Sequence, residues 1–178
     1  GAHGNAVTRN TGEIQNRGFE FSAGYQGNIG EFQWGISGNI TSLRNEVISL
    51  GEGRPLVSGF NEGGAQMNTR TEAGQPLAYF WALKTDGLFR TQAEIDAANE
   101  RARQISGNPS AVFQAGVVPG DRRFVDVNGD GTINQNDRTY LGKPIPGLLY
   151  GLNLNAAYKG FDFSMFFQGV SDVEVVNM

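Results

Sequence analysis

Between Asp126 and Asp137 the chain reads DVNGDGTINQND, with oxygen-bearing side chains at the first, third, fifth, ninth and twelfth positions and glycine at the sixth. That spacing suits a hard cation, because calcium collects six to eight oxygens and a tight loop presents alternate residues to its inside. Asp126, Asn128 and Asp130 are the first candidate ligands. Thr132 offers its carbonyl, Asn134 acts through a water, Asp137 closes the shell, and Gly131 supplies the backbone conformation. The twelfth position is Asp rather than a bidentate Glu, so a structural calcium site is expected, not a switch. The alternative is an ordinary Asp/Asn/Gly turn whose side chains bond their own backbone.

The flanks show what holds the loop. Arg123, Phe124 and Val125 lead in with extended character, and Gly142 to Pro146, GKPIP, lead out, so neither side continues as an EF-hand helix. The loop is expected among strands.

Other chemistry finds little support. The single histidine, His3, has no Ser or Asp arrangement near it and reads as an ordinary surface residue. No GxSxG, HExxH or phosphate-cradling glycine loop occurs. Asp121 and Asp126 form an acid pair, but they flank the calcium loop and are explained by structure. Tyr79, Phe80 and Trp81 are the aromatic candidates for stacking on a sugar, against packing within their own loop. No catalytic residue is assigned, and the chain is expected not to be an enzyme.

The 178 residues carry a net charge of −4 and no basic run, which argues against a nucleic-acid partner. Cysteine is absent, so disulfides and thiol catalysis are excluded. No apolar stretch approaches the length of a spanning helix, the first residues contain no signal peptide, and both ends look cut from something longer.

Period-two alternation marks four strands. Phe19, Phe21, Ala23 and Tyr25 share a face opposite Glu20, Ser22, Gly24 and Gln26; Phe32, Trp34, Ile36 and Ile40 repeat the pattern. A turn at Gly27 to Gly30 would set Tyr25 beside Phe32, Ala23 beside Trp34 and Phe21 beside Ile36. Near the other end, Leu148, Tyr150, Leu152, Leu154, Ala156 and Tyr158 alternate with Gly151, Asn153 and Asn155. A two-residue turn at Lys159 and Gly160 leads to Phe161, Phe163, Met165 and Phe167, pairing Tyr158 with Phe161 and Leu154 with Met165. Phe166 is the exception on the polar face. Strands of about ten residues with an aromatic beside a tight turn match outer-membrane barrel strands; a soluble β-sandwich alternates too. Short turns against one excursion from Arg44 to Gly147 favour the barrel.

The expected organisation is all-β. It comprises a first hairpin in 1–44 (strands about 18–27 and 31–43), a long extracellular loop region over 45–147, and a second hairpin in 148–178 (strands about 148–158 and 161–170). Within the loop region, Thr91, Gln92, Ala93 and Glu94 form a capping box that opens a helix over about 92–105, with Ile95, Ala98, Ala102 and Ile105 on one face. Residues 51–76 read as irregular loop.

NRGFE from Asn16, GQPLAYFWALKTDGLFRT from Gly74, PGDRRFVDVNGDGTINQNDRTYLGKPIPGLLYG from Pro119 and YKGFDFSMFFQGV from Tyr158 together resemble the barrel portion of SusC/RagA-type TonB-linked outer-membrane proteins. The stretch from Gly120 to Val170 is the specific part. Where that family tends to carry a glycine and a Tyr-Gly-Tyr-like run, this chain has Ala78 and Phe80-Trp81-Ala82. The resemblance implies a location in the outer membrane, a segment of a barrel of about 22 strands, import of oligosaccharides or peptides, a SusD-like surface lipoprotein as partner, and energy from the TonB complex through a part of the parent not present here. The runner-up is a secreted, calcium-stabilised β module that binds a polymer or another protein.

Overall fold

A computed structural model describes residues 12–51, 53–62 and 65–176; His3 lies outside them. In chain order the elements are β1 (Gly12–Ile29), β2 (Phe32–Leu50), β3 (Leu56–Glu62), β4 (Ala65–Thr71), β5 (Tyr79–Leu83), β6 (Thr85–Leu88), α1 (Gln92–Ser106), β7 (Arg122–Phe124), a 3-10 turn (Gln135–Asp137), β8 (Arg138–Gly142), β9 (Leu148–Tyr158) and β10 (Phe161–Ser171). Three antiparallel ladders link β1-β2-β9-β10 in that order. A second sheet has the order β3-β4-β5-β8, and β6 pairs with β7. The chain forms two compact units: one holds the β1-β2-β9-β10 sheet with Arg70–Tyr79, the other Gly59–Thr69 and Phe80–Leu141.

The second hairpin has the expected register, with Phe161 opposite Tyr158 and Met165 opposite Leu154 across Lys159 and Gly160. Both turn residues take positive φ, 48° and 85°, as the twist of a two-residue hairpin demands. The first hairpin differs. Its turn is Gly30–Glu31, so Ile29 faces Phe32, Tyr25 faces Ile36, Ala23 faces Gly38 and Phe21 faces Ile40. Gly30, with φ 61°, closes a tighter turn than the four-residue one expected, and the ladder gains Asn28 and Ile29. The change is even, so every residue keeps its face. β1 and β2 also run further than expected, with Gly12 reaching Leu50. Alternation ends near Arg17 and Arg44, but backbone pairing continues without it.

In the same unit the ladder is locked at its far end. Asn45 donates to Asn16 Oδ1 at 2.6 Å and accepts from the Leu77 N–H at 2.8 Å, while Val47, fully buried, exchanges backbone bonds with Gly74 and Gln75. Ala78 adopts φ 54°, the left-handed conformation that favours glycine. The turn is thus kept where the family tends to have glycine, and Ala78 carries the strain.

Residues 51–76 are not irregular: they contain β3 and β4. Leu56 and Val57 are exposed, so backbone pairing forms the start of β3 with no buried face to announce it. Helix α1 matches its expected bounds to a residue. Thr91 Oγ1 accepts from the Glu94 N–H, and Gly107 ends the helix at φ 67°, donating to Arg103 O. The return bond of the box goes to the Arg90 N–H, one residue before the cap. Ile95 and Ala102 are buried with Phe89 and Ala111, and Ile105 stays half open.

Candidate functional site

Two arrangements carry functional chemistry. The first is the β1-β2-β9-β10 sheet. Its ladders place Tyr25, Ile36, Leu154 and Met165 in one cross-strand row, Ala23, Gly38, Leu152 and Phe167 in the next, Phe21, Ile40 and Tyr150 in the one beyond, and Ile29, Phe32, Tyr158 and Phe161 in the row at the turns. These side chains are left open: Phe19, Phe21, Tyr25 and Ile29 are 62–74% exposed, and Phe161 81%. The opposite face carries Ser22, Gln26, Ser37, Asn39, Asn153, Asn155, Ser164 and Gln168, with Leu149, Phe166 and Val170 as apolar exceptions. Glycines seat the larger neighbours: a Cβ on Gly35 would meet the Asn155 amide, one on Gly151 the Asn39 amide, and one on Gly169 the Tyr150 ring.

Such a face decides between solvents. A soluble sandwich buries its apolar side under a second sheet, whereas here about a dozen large apolar groups stand open on one face of the four strands. The eleven residues of β9 and of β10 would extend about 37 Å, and at a tilt near 45° would rise about 26 Å, close to the roughly 25 Å apolar band of a barrel.

The second arrangement is the loop from Asp126 to Asp137, in the other unit. Asp126 accepts from the Gly129 and Gly131 N–H groups at 2.7 and 2.8 Å. Asn128 Oδ1 accepts from the Asp130 N–H, and Asp130 accepts from the N–H and hydroxyl of Thr132, all at 2.9 Å. The Thr132 N–H first, then the Asn128 side-chain amide and the Thr132 hydroxyl, hold the Asp130 carboxyl below the usual carboxylate range. Asn134 caps the 3-10 turn through the Asn136 N–H. Asp137 is fully buried and accepts from the Val127, Asn128 and Asn134 N–H groups at 2.9, 3.4 and 2.8 Å. Gly129 and Gly131 take φ 76° and 87°.

The six candidate ligands therefore form one hydrogen-bonded loop, the bonding pattern of the ordinary-turn alternative. Each oxygen holding one N–H retains acceptor capacity, so the donor set suits calcium chemically. Among the described residues, however, no three His, Cys, Asp or Glu side chains converge as a metal-holding group. The loop also rests on α1: a Cβ on Gly131 would lie 3.2–3.3 Å from Ile105 and Ala102. Phe113 bridges the two, donating to Asn99 Oδ1 on the helix and accepting from the Ile133 N–H. Asn99 carried no signal in the sequence, since an Asn on a helix reads as a surface residue.

The aromatic candidates separate. Tyr79 is 3% exposed, and its hydroxyl bonds Glu72; burial first, then that carboxylate, push its pKa up to about 12. Phe80 is half-buried. Trp81 is also half-buried, with the Arg138 guanidinium 5.6 Å from its ring.

No family model matches the chain. Curated proteins do. It is 31% identical to TonB-dependent receptor P26 of Formosa agariphila over 98% of its length, and 30% identical to TonB-dependent receptor SusC of Bacteroides thetaiotaomicron over 89%. The chain belongs to the SusC-type TonB-dependent receptors. It spans 16% and 14% of those two relatives, so it corresponds to a minor part of such a receptor. The solved structure of the RagAB peptide transporter matches the fold with a TM-score of 0.58, at 17% identity, over 92% of this chain and 16% of that one. The receptor is an outer-membrane protein, and its open apolar face follows. Among the described residues no helix is long and apolar enough to cross a membrane; strands carry the apolar face.

Proposed function

We propose that the chain supplies four adjacent strands of the barrel wall, and the long outer excursion between them, of a TonB-dependent importer of oligosaccharides or peptides that works with a SusD-like surface lipoprotein. The carrying observation is the separation of faces across three continuous ladders, apolar towards lipid and amide-rich towards the interior. Peptide cargo draws support from the RagAB peptide transporter and the SusD-like partner from the resemblance to the SusC type; the amide, hydroxyl and glycine wall, which also carries Glu20 and Asp162, suits polar solutes. The two tight turns lie at the periplasmic end and the excursion at the cell surface, as in barrels generally. The test is to tag the full-length parent in its native cell and extract its membranes with mild detergent. Recovery from the outer membrane with a surface lipoprotein supports the proposal; recovery of the parent without any lipoprotein removes the partner, and recovery as a soluble species removes the importer.

The loop from Asp126 to Asp137 is proposed to take calcium as a structural ion. Support comes from ligand spacing, two left-handed glycines, and three carboxylates of which none joins an ion pair among the described residues. The ion would hold the return path of the excursion towards β9, and so the surface offered to a lid. Calorimetric titration of the chelator-treated parent with calcium should show binding that Asp126→Ala abolishes. Identical heats for the two proteins would leave the loop as a self-bonded turn.

A further inference from the structure

The membrane-facing side of β1 and β2 is uneven. Ala23 stands opposite Gly38, whereas the rows on either side set Phe21 opposite Ile40 and Tyr25 opposite Ile36. Two small residues between two bulky rows leave a trough of about 450 Å³, closed on β9 by Leu152, which pairs with Gly38. Its walls are open to the surroundings, with Phe21 and Tyr25 62% and 65% exposed.

Hydrocarbon must fill such a recess, because an empty one forfeits dispersion contacts along its whole lining and a water there finds few polar partners. A flexible chain one methylene wide fits between rows of side chains and follows the floor without leaving gaps. The trough is also continuous with the lipid-facing surface. From Ile29 at the turn to Ala23 is six residues, about 20 Å along the strand and about 14 Å of depth at a tilt near 45°, within half of a roughly 30 Å hydrocarbon core. The turn end has the chemistry of a headgroup region: Phe32 and Tyr158 rings lie 6.4 Å apart, and the Lys159 ammonium sits 5.3 Å from the Tyr158 ring and 3.8 Å from Glu31.

We infer that the trough over Ala23 and Gly38 is a binding site for one acyl chain of a phospholipid in the periplasmic leaflet, held more firmly than the surrounding lipid. The inference rests on the barrel reading. Its leaflet follows from the short turns, which place Lys159 on the periplasmic side where phospholipid phosphates lie.

The experiment is native mass spectrometry of the full-length parent extracted from its own outer membrane in mild detergent, comparing wild type with Ala23→Phe, which fills the trough, and Leu154→Phe, which enlarges the same face outside it. Wild type and Leu154→Phe should retain a phospholipid whose occupancy drops several-fold in Ala23→Phe, with all three proteins showing the heat-dependent gel mobility of a folded barrel. Equal occupancy in wild type and Ala23→Phe, no retained lipid in wild type, or a retained mass of lipopolysaccharide would each overturn the inference. Should Ala23→Phe fail to assemble, a density map of the wild-type parent in a lipid nanodisc decides: a tail between Phe21 and Tyr25 supports the site, and bare side chains refute it. Failure of the barrel reading is distinct, since the parent would then be missing from the outer membrane altogether.

Discussion

Replacing Asp137 gives the sharpest test of how the loop is built. Its carboxylate is fully buried and accepts three backbone N–H bonds, two of ordinary length to Val127 and Asn134 and one longer to Asn128. Hydrogen bonds to a charged group contribute roughly 1.5–3 kcal/mol each, and a buried donor left without an acceptor costs about 1–3 kcal/mol. Removing the carboxylate also removes its own desolvation cost, so Asp137→Ala should destabilise the loop by about 3 kcal/mol net. Asp137→Asn keeps one acceptor but aims an NH2 at an N–H, for a loss of about 2 kcal/mol. Hydrogen exchange in the full-length receptor reads this directly. At 1.4 kcal/mol per decade, the Val127, Asn128 and Asn134 amides should exchange about 100-fold faster in Asp137→Ala and about 30-fold faster in Asp137→Asn, while amides of β9 and β10 are unchanged. A rise below about threefold would refute the claim that Asp137 holds the loop. An equal rise in β9 would show that the residue acts on the whole fold instead.

Leu154→Arg, in the middle of the apolar face, should cost about 2–4 kcal/mol and deplete the folded barrel on heat-modifiability gels, whereas Asn153→Arg, one residue away on the other face, should assemble normally. Because the Tyr79 pKa is raised from 10 to about 12, its stabilising contribution is complete below pH 10 and is lost as pH rises to 12. An ultraviolet difference titration against Tyr79→Phe should show the ionisation near 12, and Glu72→Gln should lower it while leaving it above 10, since burial is the larger cause. Gly131→Ala adds left-handed strain and tight contacts with Ile105 and Ala102, costing about 1–3 kcal/mol, seen as faster exchange in both the loop and α1.

Faces were legible in the sequence and registers only in part. Alternation assigns each side chain to lipid or interior, and an even slip leaves that assignment intact; hence Phe21 and Tyr25 point as expected although their partners are Ile40 and Ile36. Gly27, Asn28, Ile29 and Gly30 admit more than one turn, while Lys159-Gly160 between two aromatics admits one. Strand ends and the β3 and β4 pair were hidden because backbone ladders need no alternating side chains. Helix α1 was visible from Thr91 and Gly107, which act locally. Spacing singled out Asp137, but its three donors and the Asn45 and Asn99 bridges depend on chain segments brought together only by folding.

The unequal lengths of the hairpins have a consequence at the cell surface. β1, at 18 residues, would extend about 61 Å and rise about 43 Å at the tilt that lets β9 and β10 match the apolar band, so its far end and that of β2 stand about 10 Å clear of the headgroups. In the proposed orientation this end of the paired ribbon lies on the cell exterior, held by Asn16 and Asn45 and by the backbone bonds of Val47 to Gly74 and Gln75. An epitope tag inserted at Gly53 would report, by antibody labelling of intact cells, whether this end of the hairpin stands outside the membrane.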